Sequence, residues 1–200
     1  MGRIGKRKRR KAAPRAEAEW KAAAERLGGT YASERGRASV LYQHGPWTLR
    51  LESLVVQVGT APVTVTRCRA LVWGRDNLRF TVAPKGKLEG LVAALGFGGV
   101  RLQDRRMARA FVARGKEARR IRSVLNDPLV VEQLLAGHRV QLSFKKAGWT
   151  DRRRFGPQTR VITVEASGLV DDPDRLVSMA RLAAVTLDRL AGLGTVDPAR

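Results

Sequence analysis

The chain has 200 residues, enough for one ordinary domain with a real core, and 44% of them are apolar, which excludes global disorder. It carries a net charge of +21 and a single cysteine, so an intrachain disulfide and a cysteine-built zinc site are excluded. Such a charge favours polyanionic partners: nucleic acid, anionic lipid headgroups or an acidic protein.

The first fifteen residues, MGRIGKRKRRKAAPR, hold eight of the basic residues, among them Lys6, Arg7, Lys8, Arg9, Arg10 and Lys11, and no acid, so +13 remains on the rest. They lack any apolar period and read as a disordered basic arm, residues 1–15. The basic start resembles the first part of a secretory leader, but the apolar stretch that should follow is absent. No stretch reaches membrane-span length, and the cytoplasm is the expected location.

From Pro14 the spacing of Trp20, Ala24 and Leu27 predicts a helix that Gly28–Gly29 end. A strand-rich half follows. Arg37–Gln43 are short and mixed, and Gly45–Pro46 make a turn. In WTLRLES, Trp47, Leu49 and Leu51 face one way and Thr48, Arg50 and Glu52 the other, as on a half-buried strand. The apolar phase shifts at Leu54, Val56 and Val58, and a bulge or a twist near Ser53 is the expected cause. VTVTRCRALVW, which carries Cys68 as an expected buried, inert thiol, is a second strand. NLRFTVAP is a third. Short turns between long strands favour antiparallel pairing.

KLEGLVAALGFGG reads as a short helix closed by glycines, and ARAFVARGKEARRIRSVLND leads into a helix carrying Ile121 and Leu125. In NDPLVVEQLLAG, Asp127 caps a helix begun by Pro128. HRVQLSFKK and TRVITVEA alternate as strands. DDPDRL then opens the surest element, a long helix capped by Asp172, with Leu176, Met179, Ala180, Ala183, Leu187 and Leu190 in one apolar stripe. The expected fold is α+β: one domain over residues 16–194, an antiparallel sheet of about five to seven strands covered on one face by helices, and a flexible end at 195–200.

No chemistry of catalysis stands out. His44 and His138 lie apart, each ahead of a strand, with no metal-ligand spacing. No serine sits in a nucleophile elbow, and GFGG fails both glycine-rich phosphate patterns. Asp171, Asp172 and Asp174 are accounted for by helix capping. No cofactor, metal or catalytic residue is expected. Two basic segments remain on the folded body. Residues 104–122 hold eight basic and two acidic side chains, with Arg105, Arg109, Arg119 and Arg122 at helical spacings. Residues 143–160 interleave Lys145, Lys146, Arg152, Arg153, Arg154 and Arg160 with Trp149 and Phe155, in a stretch read as a long loop between strands. Cations there would neutralise phosphates and Trp149 could stack on an unpaired base; the plainer alternative is a solvated hairpin whose aromatics pack on the sheet.

HGPWTLRLES, VTVTRCRA, LRFTVAPKGKLEGLVAALGF and DRRMARAFVARGKEARRIRSVLND, in that order over residues 20–190, resemble a family of uncharacterised bacterial proteins defined as a domain of unknown function. The resemblance rests on the GPW turn and strand, the RFTV strand and the AFV segment leading into a helix. It implies a cytoplasmic α+β domain and assigns no activity. The chain departs from that family at KKAGWTDRRRFGPQTR and in its basic start, which favours a polyanion partner for this chain. The expected function is a non-catalytic binding module that engages nucleic acid, independent of base sequence, through the arm and the 143–160 segment. The alternative is a protein-interaction or small-ligand-binding scaffold whose charge only solubilises.

Overall fold

The computed structural model describes residues 14–34, 36–86, 99–137 and 139–198. Helix α1 (Pro14–Leu27) leads into strands β1 (Thr30–Glu34), β2 (Arg37–His44), β3 (Trp47–Val58), β4 (Ala61–Gly74) and β5 (Phe80–Pro84). Strand β6 (Gly99–Val100), helix α2 (Arg105–Ala110), strand β7 (Phe111–Gly115) and helices α3 (Ala118–Leu125) and α4 (Pro128–Ala136) form the middle. Strand β8 (Gln141–Lys146), helix α5 (Trp149–Phe155), strand β9 (Thr159–Ser167), helix α6 (Pro173–Gly192) and strand β10 (Val196–Pro198) complete it. The helix expected in KLEGLVAALGFGG falls on residues 87–98, outside the described residues.

The strands form one antiparallel sheet in the order β1-β2-β3-β4-β9-β8-β5-β7-β6, with β10 on the end of β4. The ten strands among the described residues exceed the expected five to seven. The surplus is short: β6 has two residues and β10 three, too few to show alternation. Residues 196–198, expected in a flexible end, pair with Val72–Gly74 instead. Phe111–Gly115, which carries the AFV stretch read as leading into a helix, is a strand. Phe111, Ala113 and Gly115 are buried at period two, and α2 runs directly into Phe111 with no glycine or proline between them.

Of the bulge or twist expected near Ser53, the bulge is absent. Pairing of β3 with β4 runs unbroken from Arg50↔Arg69 to Val58↔Ala61. Ser53 keeps its inward phase because its Oγ accepts from the backbone N–H of Ala38 at 3.1 Å, replacing an apolar contact with a hydrogen bond. Leu54 lies on the other face, directly across from the buried Val65.

The core sits between one sheet face and the helices. Trp47, Leu49, Leu51, Cys68, Ala70, Val72, Leu142, Phe144, Ile162 and Val164 meet α6 and its neighbours. All six stripe residues of α6 are buried, and each large one stabilises by about 1.5–3 kcal/mol. Asp172 caps α6 by accepting from Asp174 N at 3.0 Å, and Asp127 caps α4 through Leu129 N at 3.0 Å. Two aromatics tie elements together through polar tips, α1 to the connection before α6 and β2 to α6. The Trp20 indole donates to Val170 O at 2.9 Å, and the Tyr42 hydroxyl to Ala180 O at 2.7 Å. No helix among the described residues is long and apolar enough to cross a membrane.

Candidate polyanion-binding face

Of the described helices only α5 lies away from the core side of the sheet, so period-two alternation decides what that open side shows. On β4, Cys68, Ala70 and Val72 turn toward α6, which sends Arg67, Arg69, Leu71 and Trp73 to the open side. Register extends two rows across it. Arg50, Arg69, Thr163 and Ser143 stand side by side, and so do Glu52, Arg67, Glu165 and Gln141. Cross-strand neighbours on one face lie about 5 Å apart, so these groups act on one another.

Three guanidiniums surround one carboxylate. Glu52 accepts from Arg67 at 2.5 and 3.2 Å, with Arg50 Nε at 3.5 Å and Arg69 Nε at 4.0 Å. Arg69 also reaches Asp151 on α5 at 3.7 Å. Over β3, β4, β9, β8 and α5, the open side carries seven cations (Arg50, Arg67, Arg69, Lys145, Arg152, Arg153, Arg154) against three carboxylates (Glu52, Asp151, Glu165). The surplus is positive on a continuous surface.

The segment read as a loop between strands is α5, the one helix among the described residues that lies on the open side. Its seven residues, WTDRRRF, offer no apolar period, which is why the sequence did not reveal it. Asp151, Arg152 and Phe155 turn inward and are half-buried, while Trp149, Thr150, Arg153 and Arg154 face outward. The helix ends where Gly156 adopts φ +98° against Trp73; a Cβ there would stand 3.1 Å from the indole, so glycine serves both the turn and the close approach. The Arg153 guanidinium sits 5.3 Å from the Trp149 ring centroid, and that of Arg154 sits 5.0 Å from the Phe155 centroid.

The structure sorts the sequence-read residues as follows. Lys145, Trp149, Arg152, Arg153 and Arg154 come together on the open side, with Trp149 66% exposed. Of the two aromatics, Phe155 packs partly down and Trp149 does not. Lys146 alternates to the helix side at the rim. Arg160 leaves the group altogether: it is buried on the helix side, donating to Asp76 O and Asn77 Oδ1 at 2.5 and 3.1 Å. Lys6, Arg7, Lys8, Arg9, Arg10 and Lys11 lie outside the described residues. Sequence reasoning missed Arg50, Arg67, Arg69 and Trp73 as site residues. The signal was there: Arg67, Arg69, Leu71 and Trp73 recur every second residue and must share a face.

Of the 104–122 segment, Arg114 on β7 continues the first row, beyond Ser143 and Thr81, on the open side. Arg105 of α2 and Arg122 of α3 line a separate cleft of about 960 Å³ at the other end of the sheet, together with Lys85, Arg101 and the apolar Leu102 and Phe111. Asp104 caps α2, and the backbone N–H of Met107 with the Arg106 guanidinium holds its carboxyl below the usual carboxylate range.

Cys68 is buried in the core, and burial pushes its thiol up to about 12. Burial likewise raises the Tyr42 hydroxyl above its ordinary value. His44 is tied to Asp188, whose Oδ2 lies 2.8 Å from its Nε2, and His138 lies outside the described residues. Among the described residues, no three His, Cys, Asp or Glu side chains group in a way that could hold a metal ion. Comparison with known proteins finds no matching family model, no matching curated protein and no matching solved structure.

Proposed function

We propose that the chain is a non-catalytic binding module for a polyanion, nucleic acid foremost, held by charge and independent of base sequence. One observation carries this reading: seven cations against three carboxylates on the uncovered side of the sheet, reinforced by a basic arm that begins the chain. Phosphates bound there release counterions, so affinity falls steeply with salt. The contacts are guanidinium and ammonium groups, which position a backbone rather than read base edges.

The test is binding of fluorescent DNA and RNA across a salt series to the full chain, to a version lacking residues 1–15, and to an Arg152/Arg153/Arg154→Ala variant. Both changes weaken binding, and the arginine variant flattens the slope of log K against log salt by about two. Binding that ignores both changes, or vanishes at moderate salt, defeats the reading.

A small-ligand reading has its own observation. The 960 Å³ cleft joins an apolar floor to Lys85, Arg101, Arg105 and Arg122, none of them ion-paired among the described residues. Thermal unfolding against a panel of small organic anions decides it, because a ligand in that cleft raises Tm and Arg105→Ala abolishes the rise.

A further inference from the structure

The open side carries aromatic surface as well as charge. Trp73 ends β4 with 39% of its surface exposed, and Trp149 begins α5 at 66%. Phe155 ends α5. Between it and Trp73 lies a slot of about 620 Å³, with Thr159, Arg75 and Asp197 at its rim. We propose that this slot and the Trp149 ring take unpaired nucleobases, so that the bound polyanion is single-stranded nucleic acid. The proposal rests on the polyanion reading above.

Three features point to a base in the slot rather than a phosphate. Trp73 and Phe155 line it, with the apolar Val72 and Pro198. The nearest cation, Arg75, is already neutralised by Asp197 through bonds of 2.5 and 2.8 Å, so the rim offers little net charge to an anion. The Thr159 hydroxyl donates its proton to Gly156 O at 2.7 Å and so does not donate into the slot, which suits a flat uncharged ring. The cations that suit a phosphodiester chain, Lys145, Arg153 and Arg154, stand outside it.

Spacing fits a strand. Trp149 and Phe155 are six residues apart on α5, an axial separation of about 9 Å. Two bases of one strand can therefore use the two platforms while its backbone follows the arginines between them. A duplex keeps its base faces inside the stack and has nothing flat to offer either ring. Stacking of this kind tolerates every base.

The experiment compares fluorescein-labelled 15-nucleotide oligothymidine with a 15-base-pair duplex, at one salt concentration, on the full chain. The variants are Trp149→Ala, Trp73→Leu and Arg153→Ala. Trp149 is exposed, so its removal tests stacking without threatening the fold. Single strand binds at least tenfold tighter than duplex and quenches the protein's tryptophan emission. Trp149→Ala and Trp73→Leu each weaken single-strand binding about five- to a hundredfold, with the salt slope and duplex binding unchanged. Equal binding of strand and duplex, unaffected by the tryptophan variants but reduced by Arg153→Ala, overturns stacking and leaves the polyanion reading standing. No binding of either probe at near-physiological salt overturns both. Thymidine monophosphate that competes as well as the oligomer, per mole, overturns the strand in favour of a free nucleotide.

Discussion

Arg160 crosses the helix side of the sheet through the space that a side chain on Gly74 would fill. A Cβ at Gly74 meets the Arg160 stem, so the glycine at the end of β4 is what admits a buried guanidinium there. Burial lowers that group's pKa, and its Nε and Nη1 have no hydrogen-bond partner among the described residues. Gly74→Ala therefore overpacks the site and costs about 1–3 kcal/mol in urea unfolding. Adding Arg160→Ala to it recovers part of that loss, so the double variant is less destabilised than the sum of the two singles. Additive losses would show that the two residues do not share this space.

Asp188 accepts from the Trp47 indole at 2.7 Å while its other oxygen holds His44. The Trp47 bond is the half-buried one. Asp188→Ala leaves the indole N–H unpaired against the core and lowers stability by about 1–3 kcal/mol. His44→Ala, removing only the exposed partner, changes it by less than about 1 kcal/mol. Chemical denaturation of both variants makes the comparison.

The Cys68 thiol gives a pH signature at the alkaline end. Its folded pKa of about 12 lies above the unfolded value of 9.0. The folded state thus keeps a proton that the unfolded chain loses, and this contribution, full below pH 9.0, declines as pH rises toward 12. Cys68→Ala removes the decline: between pH 9 and 10 the gap between variant and wild type changes in the variant's favour by at most about 1.4 kcal/mol. Denaturant midpoints measured from pH 7 to 10 show it. In the same protein at pH 8, an aromatic disulfide reagent labels Cys68 only on unfolding.

Glu52 restrains three arginines that a polyanion would otherwise meet. Glu52→Gln keeps the side-chain shape and removes the charge, so nucleic-acid affinity rises severalfold at low salt and the gain disappears at high salt. The same titrations used for the arginine variants measure it. An affinity unchanged by Glu52→Gln would place the contact surface elsewhere.

Much of this fold is legible in the sequence because particular residues carry it. Asp172, Pro173 and the Leu176–Leu190 stripe mark α6 from cap to core, and Trp47, Leu49 and Leu51 mark the inner face of β3. What escapes does so for physical reasons. Strand β10 is set by its partner on β4, not by its own three residues. Helix α5 is held by its capping geometry and by Asp151 reaching Arg69, neither of which leaves a periodic trace. The candidate site is half legible: the charges of 145–154 are conspicuous in a line of text, but the arginines of β3 and β4 join them only through register.

The last strand bears on how the chain reaches this state. Val72 on β4 takes one neighbour from Arg160 and another from Pro198, while its hairpin partner β3 is made immediately before it. During synthesis the β3–β4 hairpin can form early, yet β4 stays with unpaired flanks until residues past 159, and then past 196, emerge. Closing such distant pairings is entropically slow, which puts folding in the millisecond-to-second range typical of non-local sheets. A nascent chain therefore holds a strand carrying Arg67 and Arg69 with open flanks beside the ribosome, itself a polyanion, for much of its synthesis.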